Sequence, residues 1–240
     1  MKLAILSDIH GNYDALRAVL GSLSVQGIQT YVCLGDIVGY GPEPAACLHT
    51  LIRYNAIIVA GNHDCAVTDR LPVNSFNALA KEAIHWTREQ MGPEDLEFLA
   101  ALPLVERVDG ADFVHGALYT PELFDYVQTS YDASLSMSCM KNPVCFVGHS
   151  HVPITFLQQD YIRYTTENEI PLSAGERILV NVGSVGQPRD KDPRACFAVY
   201  DTTEKVISIQ RVRYDVDAVV AKLRAAGLPS ALGERLRVGR

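Results

Sequence analysis

The stretch Cys145-Phe146-Val147-Gly148-His149-Ser150-His151 runs from apolar residues through a glycine into two imidazoles two positions apart. Neutral imidazole is the commonest side-chain nitrogen ligand of first-row transition metals. If this is half of a metal site, carboxylates and further histidines must stand at comparable places elsewhere, and they do. Residues 3–6 are an apolar run leading to Asp8 and His10. Residues 31–34 lead to Gly35-Asp36, residues 56–60 to Gly61-Asn62-His63-Asp64, and residues 111–114 to His115-Gly116. Five of the seven histidines belong to this set, whereas His49 and His85 fall inside helical patterns. Any one of these residues alone reads equally well as a polar turn residue, but scattered histidines do not gather at glycine-flanked strand ends. Carboxylate, imidazole and one amide, without thiolate, suit Mn, Fe, Zn or Ni and disfavour a structural zinc cage. The donors exceed what one tetrahedral ion takes. They suit two ions sharing a bridge, which in two-metal hydrolases stand roughly 3.5–4 Å apart.

The elements that must position these groups follow from periodicity. Each short apolar run reads as a buried strand. Leu16, Val19, Leu20 and Leu23 recur at helical spacing, predicting a helix over 13–24. Pro44 at a first helical turn opens a second helix over 43–53. The first 64 residues thus alternate strand, loop and helix, without a helix after the third strand, which is the signature of a mainly parallel sheet. In such sheets ligands bind beyond the carboxyl ends of the strands, so the polar residues share one rim. Helices are predicted over 75–91, 94–101 and 130–140, with a hairpin of 104–108 and 111–114 around Asp109-Gly110 and a loop over 117–128. After 144–147 the chain turns β-rich, with strands over 154–157, 161–165, 177–182, 195–200 and 206–212, then a helix over 215–226. Parallel first and antiparallel later, the order suits two packed mixed sheets flanked by helices. We read one domain over 1–240. It comprises a metal-binding part (1–151), a β-rich second-sheet part (152–213), the C-terminal helix and a polar, basic, frayed tail (228–240).

A chain of 240 residues with 48% apolar composition is long enough to bury a sizeable core. Its net charge of -7 argues against general affinity for nucleic acid or an anionic membrane, but not against a small phosphorylated substrate at a local cationic centre. Six cysteines without a C-x-x-C pair point to reduced, mostly buried thiols. No signal-peptide core or membrane-length apolar run stands out, so a cytoplasmic protein is expected. A homo-oligomer is compatible with the chain, although nothing locates its interface.

Asp8-x-His10, Gly35-Asp36, Gly61-Asn62-His63-Asp64, His115-Gly116 and Gly148-His149-x-His151 stand in the order found in the calcineurin-like metallophosphoesterases. Single blocks are weak signals, whereas five in order are specific. With the later stretch Asn181-Val182-Gly183-Ser184-Val185-Gly186-Gln187-Pro188-Arg189, the chain resembles the compact bacterial and archaeal phosphodiesterase-phosphatase branch of that superfamily. The resemblance implies an α/β (α+β) four-layer αββα sandwich, two mixed β-sheets packed face to face and flanked by helices. It implies that Asp8, His10 and His151 hold one ion, that Asn62, His115 and His149 hold another, and that Asp36 bridges them. His149 and His151 would then serve different ions. The ions would be two divalent transition metals, manganese first and iron, zinc or nickel as alternatives.

The implied reaction is in-line attack on a phosphodiester or phosphomonoester by a metal-bridging hydroxide, with His63 aiding the leaving oxygen and no Ser or Cys nucleophile. Asn12, Tyr40 and Arg189 are candidate substrate contacts. The phosphoprotein phosphatase branch resembles Gly-Asp-x-x-Asp-Arg-Gly, but this chain continues Gly35-Asp36-Ile37-Val38-Gly39-Tyr40-Gly41 and lacks that phosphate-gripping Arg. A protein Ser/Thr phosphatase or a nucleotide pyrophosphohydrolase with the same site is therefore a secondary expectation. A non-catalytic protein-interaction scaffold on the same fold is another, and it would show eroded ligands, of which none is missing.

Overall fold

A computed structural model describes residues 1–240. Strand β1 (Lys2–Leu6) opens the chain and shows how the layers form. Its side chains alternate, Leu3 and Ile5 facing one core and Ala4 and Leu6 facing another, so both faces are dry and the sequence reads as a continuous apolar run. Helix α1 (Tyr13–Val25), β2 (Thr30–Cys33), α2 (Pro44–Arg53) and β3 (Ile57–Ile58) follow, and β1, β2 and β3 pair in parallel. Next come α3 (Asn62–Val67), α4 (Ala78–Gln90), α5 (Pro93–Ala101), the hairpin of β4 (Val105–Val108) and β5 (Ala111–Val114), α6 (Ser130–Cys139) and β6 (Val144–Val147). The chain ends with β7 (Ile154–Gln158), β8 (Ile162–Thr165), β9 (Glu169–Pro171), β10 (Arg177–Asn181), β11 (Ala195–Asp201), β12 (Val206–Val212), α7 (Val216–Ala225) and α8 (Ser230–Val238).

Two six-stranded mixed sheets result, ordered β3-β2-β1-β11-β12-β9 and β4-β5-β6-β10-β7-β8. Leu3, Ile5, Val32 and Leu34 of the first meet Phe113, Phe146, Ile178 and Val180 of the second in a shared core. On the outer face of the first sheet, Leu16, Val19 and Leu23 of α1 and Leu48 and Leu51 of α2 cover Ala4 and Leu6. On the outer face of the second, Ala133 and Met137 of α6 cover Cys145, Val147 and Leu179. The expected four-layer αββα sandwich is the architecture observed. All six cysteines are free thiols, and no helix is long and apolar enough to cross a membrane.

Several elements differ from the sequence reading. The third strand is only Ile57–Ile58, and a short helix, α3, begins at Asn62, where none was expected. Helix α4 starts at Ala78, where the Asn77 side chain accepts the Ala80 N–H, rather than at residue 75. Strand β9 was not anticipated, being only three residues long and paired only with β12. The stretch 152–213 serves both sheets, since β9, β11 and β12 join the sheet of β1. The tail is not frayed, because residues 230–238 form α8, with Leu232 and Leu236 buried against Val219 and Leu223 of α7. Burying each leucine contributes about 1.5–3 kcal/mol, enough to hold a short helix that would not form alone.

Candidate metal centre and substrate cleft

The loops that leave β1, β2 and β6 carry an unusual backbone. Asp8, His10, Asp36, Tyr40, His149 and His151 all have positive φ, between 50° and 64°. Such conformations cost non-glycine residues on the order of 1–3 kcal/mol each and persist where the surroundings fix them. Asp64, in the first turn of α3, does part of that fixing. Its Oδ2 accepts the Asp36 and Gly61 amides at 2.7 and 3.0 Å, and its Oδ1 accepts the Ile37 and Val38 amides at 3.0 and 3.3 Å. Burial and the nearby Asp36 push the Asp64 carboxyl up to about 7, against the pull of those amides. Gly35 makes the close approach of the two loops feasible, because a Cβ there would lie 2.3 Å from the Gly61 nitrogen. The 181–189 loop braces the other side, with Ser184 Oγ donating to the Asp8 carbonyl at 2.8 Å and the Gly186 amide donating to it at 2.9 Å.

These turns aim the side chains at one point. Val38 O, Leu34 O and Gln187 O lie 3.1, 2.7 and 2.6 Å from the Nδ1 atoms of His10, His115 and His151. A carbonyl can only accept, so each Nδ1 carries a proton and each Nε2 faces inward, where its lone pair can meet a cation, as in metal-bound histidines. The Nε2 atoms of His10 and His151 are 3.2 Å apart. Two lone pairs at that distance repel unless a cation lies between them. Asp8 Oδ1 is 3.1 Å from His151 Nε2 but accepts no hydrogen bond, although it is fully buried. An orphaned buried carboxylate oxygen among imidazole lone pairs is a donor set that fits a divalent cation.

A second group lies beside the first. Asp36 Oδ2 is 3.6 Å from His10 Nε2 and 3.4 Å from His115 Nε2, facing both groups. His115 Nε2 is 3.1 Å from Asn62 Oδ1 and 3.1 Å from His149 Nδ1. Ligand atoms of Asp8, His10 and His151 lie within 4.8 Å of one another, as do those of Asp36, His115 and His149, and those of His10, Asp36 and His63. His149 and His151 therefore belong to different groups. Burial pushes the His149 imidazole down to about 3 and the His10 imidazole well below its usual range, keeping both neutral. At His115 burial acts the same way, but the Asp36 carboxylate overcomes it and pushes the ring up to about 9. A proton on His115 then occupies the place that fits a metal charge. Burial works to raise Asp8 and Asp36, yet His151 holds the first below the usual carboxylate range and His115 holds the second.

The groups open into a cleft of about 340 Å³ lined by Asp36, Asn62, His63, His149, His151, Tyr40 and Arg189 on the polar side. Leu71, Phe76, Leu123, Phe124 and Tyr126 form the apolar side. His63 packs between Tyr40 and Phe76, with ring centroids 4.6 and 5.1 Å away, and its buried Nδ1 has no partner. Burial pushes its pKa down to about 4, with Asp36 opposing and Arg189 adding to the fall. Arg189 lies 6.0 Å over the Tyr40 ring.

Asn12 does not reach the cleft. It is buried, its Oδ1 capping α1 at the Ala15 amide and its Nδ2 donating to Gly186 O. An Asn just before an amphipathic run is an N-cap signature, and that signal outranks its closeness to His10. Tyr126, from the 117–128 loop, stacks on His149 at 4.1 Å and 11°. No spacing rule marks a lone aromatic in a loop, so this contact was missed. The role of Asp64 was missed although its place three residues after Gly61 is the capping-box spacing.

The profile of the calcineurin-like phosphoesterase superfamily domain matches residues 1–205. The chain belongs to this superfamily. It is a phosphoesterase of a family of metal-dependent hydrolases. An uncharacterized protein of Methanocaldococcus jannaschii is 37% identical over 242 residues, covering 99% of this chain and 98% of its own. Phosphodiesterase YfcE of Escherichia coli K12 is 33% identical over 211 residues, covering 84% of this chain and 88% of its own. Among solved structures, a metallophosphoesterase from Sphaerobacter thermophilus superimposes with a TM-score of 0.87 at 35% identity, covering 100% of this chain and 99% of that one.

Proposed function

We propose that this phosphoesterase is a dinuclear enzyme that hydrolyses a small phosphodiester in preference to a phosphomonoester, with manganese as the first-choice metal. The observation that carries the reading is the pair of adjoining donor groups with Asp36 facing both. Asp8, His10 and His151 would hold one ion, Asn62, His115 and His149 the other, and Asp36 both. Two divalent ions, when bound, supply activated water and neutralise the non-bridging phosphoryl oxygens.

The chain's own groups do the rest. Val38, Leu34 and Gln187 carbonyls hold three imidazoles with Nε2 inward, so loading takes the loss of the His115 proton but no turning of the rings. His63, kept neutral by burial, offers a ring N–H to the leaving oxygen. Approach of a phosphate anion raises its pKa and so enlarges the share of imidazolium, the form that can give the leaving oxygen a proton. Arg189, the one guanidinium in the cleft lining, fits a non-bridging oxygen. A single cleft arginine and the absent Asp-Arg pair favour a monoanionic diester over a dianionic monoester. The name of the YfcE relative, a phosphodiesterase, supports the same preference.

The test is turnover of bis(4-nitrophenyl) phosphate with Mn²⁺ by wild type, H63A and D36N. His63→Ala should cut turnover by about 10²–10⁴-fold, and Asp36→Asn by at least as much. Unchanged turnover in both would overturn the mechanism.

A further inference from the structure

Four histidines belong to the two proposed donor groups, and three of them are fixed in the same way. In His10, His115 and His151 the inward atom is Nε2, and a backbone carbonyl accepts from Nδ1 behind it. His149 is reversed. Its Nδ1 faces inward, 3.1 Å from His115 Nε2, and its Nε2 makes no hydrogen bond. Its main chain is anchored, since the amide donates to Asp8 Oδ2 at 3.0 Å in a left-handed turn with φ of 64°. The ring itself has no polar brace. Metal-bound imidazoles ordinarily have one, and losing it typically costs about 10–100-fold in metal affinity.

What His149 has instead is Tyr126. The phenol ring lies nearly parallel to the imidazole, with centroids 4.1 Å apart and planes at 11°. The 117–128 loop folds so as to keep it there. Ala117 donates its amide to the Asp125 carbonyl at 2.9 Å, and a Cβ on Gly116 would come within 2.9 Å of the same oxygen. Asp125 Oδ2 accepts the hydroxyls of Tyr119 and Thr120, each at 3.1 Å. Phe124, buried and left-handed with φ of 55°, sets its ring edge-on to His115 at 5.9 Å. The loop therefore departs from one histidine of the second donor group and returns onto the other. Tyr126 is 45% exposed, so its ring adds little to the core and is free to serve the site. Neither His10 nor His151 has a ring contact with it.

We infer that Tyr126 is the positioning residue of His149: its stacked ring takes the place of the missing carbonyl and sets the affinity of the ion that His149 holds. The inference rests on the proposed donor groups. An imidazole free to turn about its side-chain torsions must be ordered each time an ion binds, and a ring already stacked in place avoids that cost. Because the contact is made to His149 alone, its effect falls on one donor group and spares the group of Asp8, His10 and His151.

The test is titration of the metal-free protein with chelator-buffered Zn²⁺, followed by NMR through the ring nitrogens of isotope-labelled histidines. Each ring then reports the loading of its own group, independently of turnover. Tyr126→Ala should raise the free Zn²⁺ at the His149 midpoint about three- to tenfold, the size of one aromatic stack, and move the His10 and His151 midpoints by less than about twofold. Tyr126→Phe, which keeps the ring and loses the hydroxyl, should match wild type at every histidine. An unmoved His149 midpoint in Y126A would overturn the inference, and so would a His149 ring that never loads in wild type. A Y126F variant that behaves like Y126A would also overturn it, since the hydroxyl and not the stack would then matter. Where wild type shows two midpoints, an equal rise of both in Y126A would reduce Tyr126 to a general structural part and overturn its assigned role. A single midpoint shared by all four histidines would instead sink the dinuclear reading, and Tyr126 would then be judged by whether Y126A raises that one midpoint.

Discussion

Asp36 is held from both ends, its Oδ1 accepting the His63 amide at 2.8 Å and its own amide donating to Asp64 at 2.7 Å. The second contact shows what Asp64 contributes without touching the cleft. Replacing one of its oxygens by an amide nitrogen sets donor against donor at two of its four backbone partners. We predict that Asp64→Asn costs about 3 kcal/mol in chemical denaturation, and that it weakens metal binding through the displaced Asp36. A loss under 0.5 kcal/mol would show that the Gly35–Asp36 turn stands without it. At this scale the sequence was informative where chemistry and position coincide. Imidazoles and carboxylates beyond glycine-flanked strand ends have few structural uses, so the residues that the structure gathers at one rim could be named as candidates. Tyr126 reaches the cleft only through tertiary placement, and no local pattern distinguishes it from other loop residues.

Helix α8 poses the question at the scale of elements. Leu228, Leu232 and Leu236 recur every four residues, the spacing of a buried helical stripe. Arg235, Arg237 and Arg240 surround that stripe with charge and make the segment read as a polar tail. The three leucines are buried, so Leu236→Ala should cost about 2–4 kcal/mol in urea denaturation and also raise the KM for substrate by loosening Tyr40 of the cleft. Full stability in this variant would return α8 to the status of a frayed end. Helix α3 is the reverse case. Its six residues follow directly on a glycine and carry Asn62 and His63, so the motif masked the helix that presents it.

At the scale of the whole molecule, the two groups proposed to hold ions each draw on both sheets. Asp8 and His10 follow β1 of the first sheet, while His151 follows β6 of the second. Asp36 follows β2 of the first, while His115 and His149 follow β5 and β6 of the second. Bound ions would therefore clamp the two rims together. Free metal a thousandfold above its dissociation constant adds about 4 kcal/mol, so chelation should lower the melting temperature by roughly 10 °C, restored by Mn²⁺. A melting curve indifferent to chelator would argue against a clamp. The sandwich itself was legible from the order of strands and helices. Which strand joins which sheet was not, because β11 pairs with β1 across nearly the full chain length, and local periodicity does not encode such partners.

Anomalous diffraction from manganese-soaked crystals would show whether two ions share this centre. Two anomalous peaks are expected, roughly 3.5–4 Å apart. One should lie on Asp8, His10 and His151, the other on Asn62, His115 and His149, with Asp36 between them. A single peak bound by both His149 and His151 would contradict it.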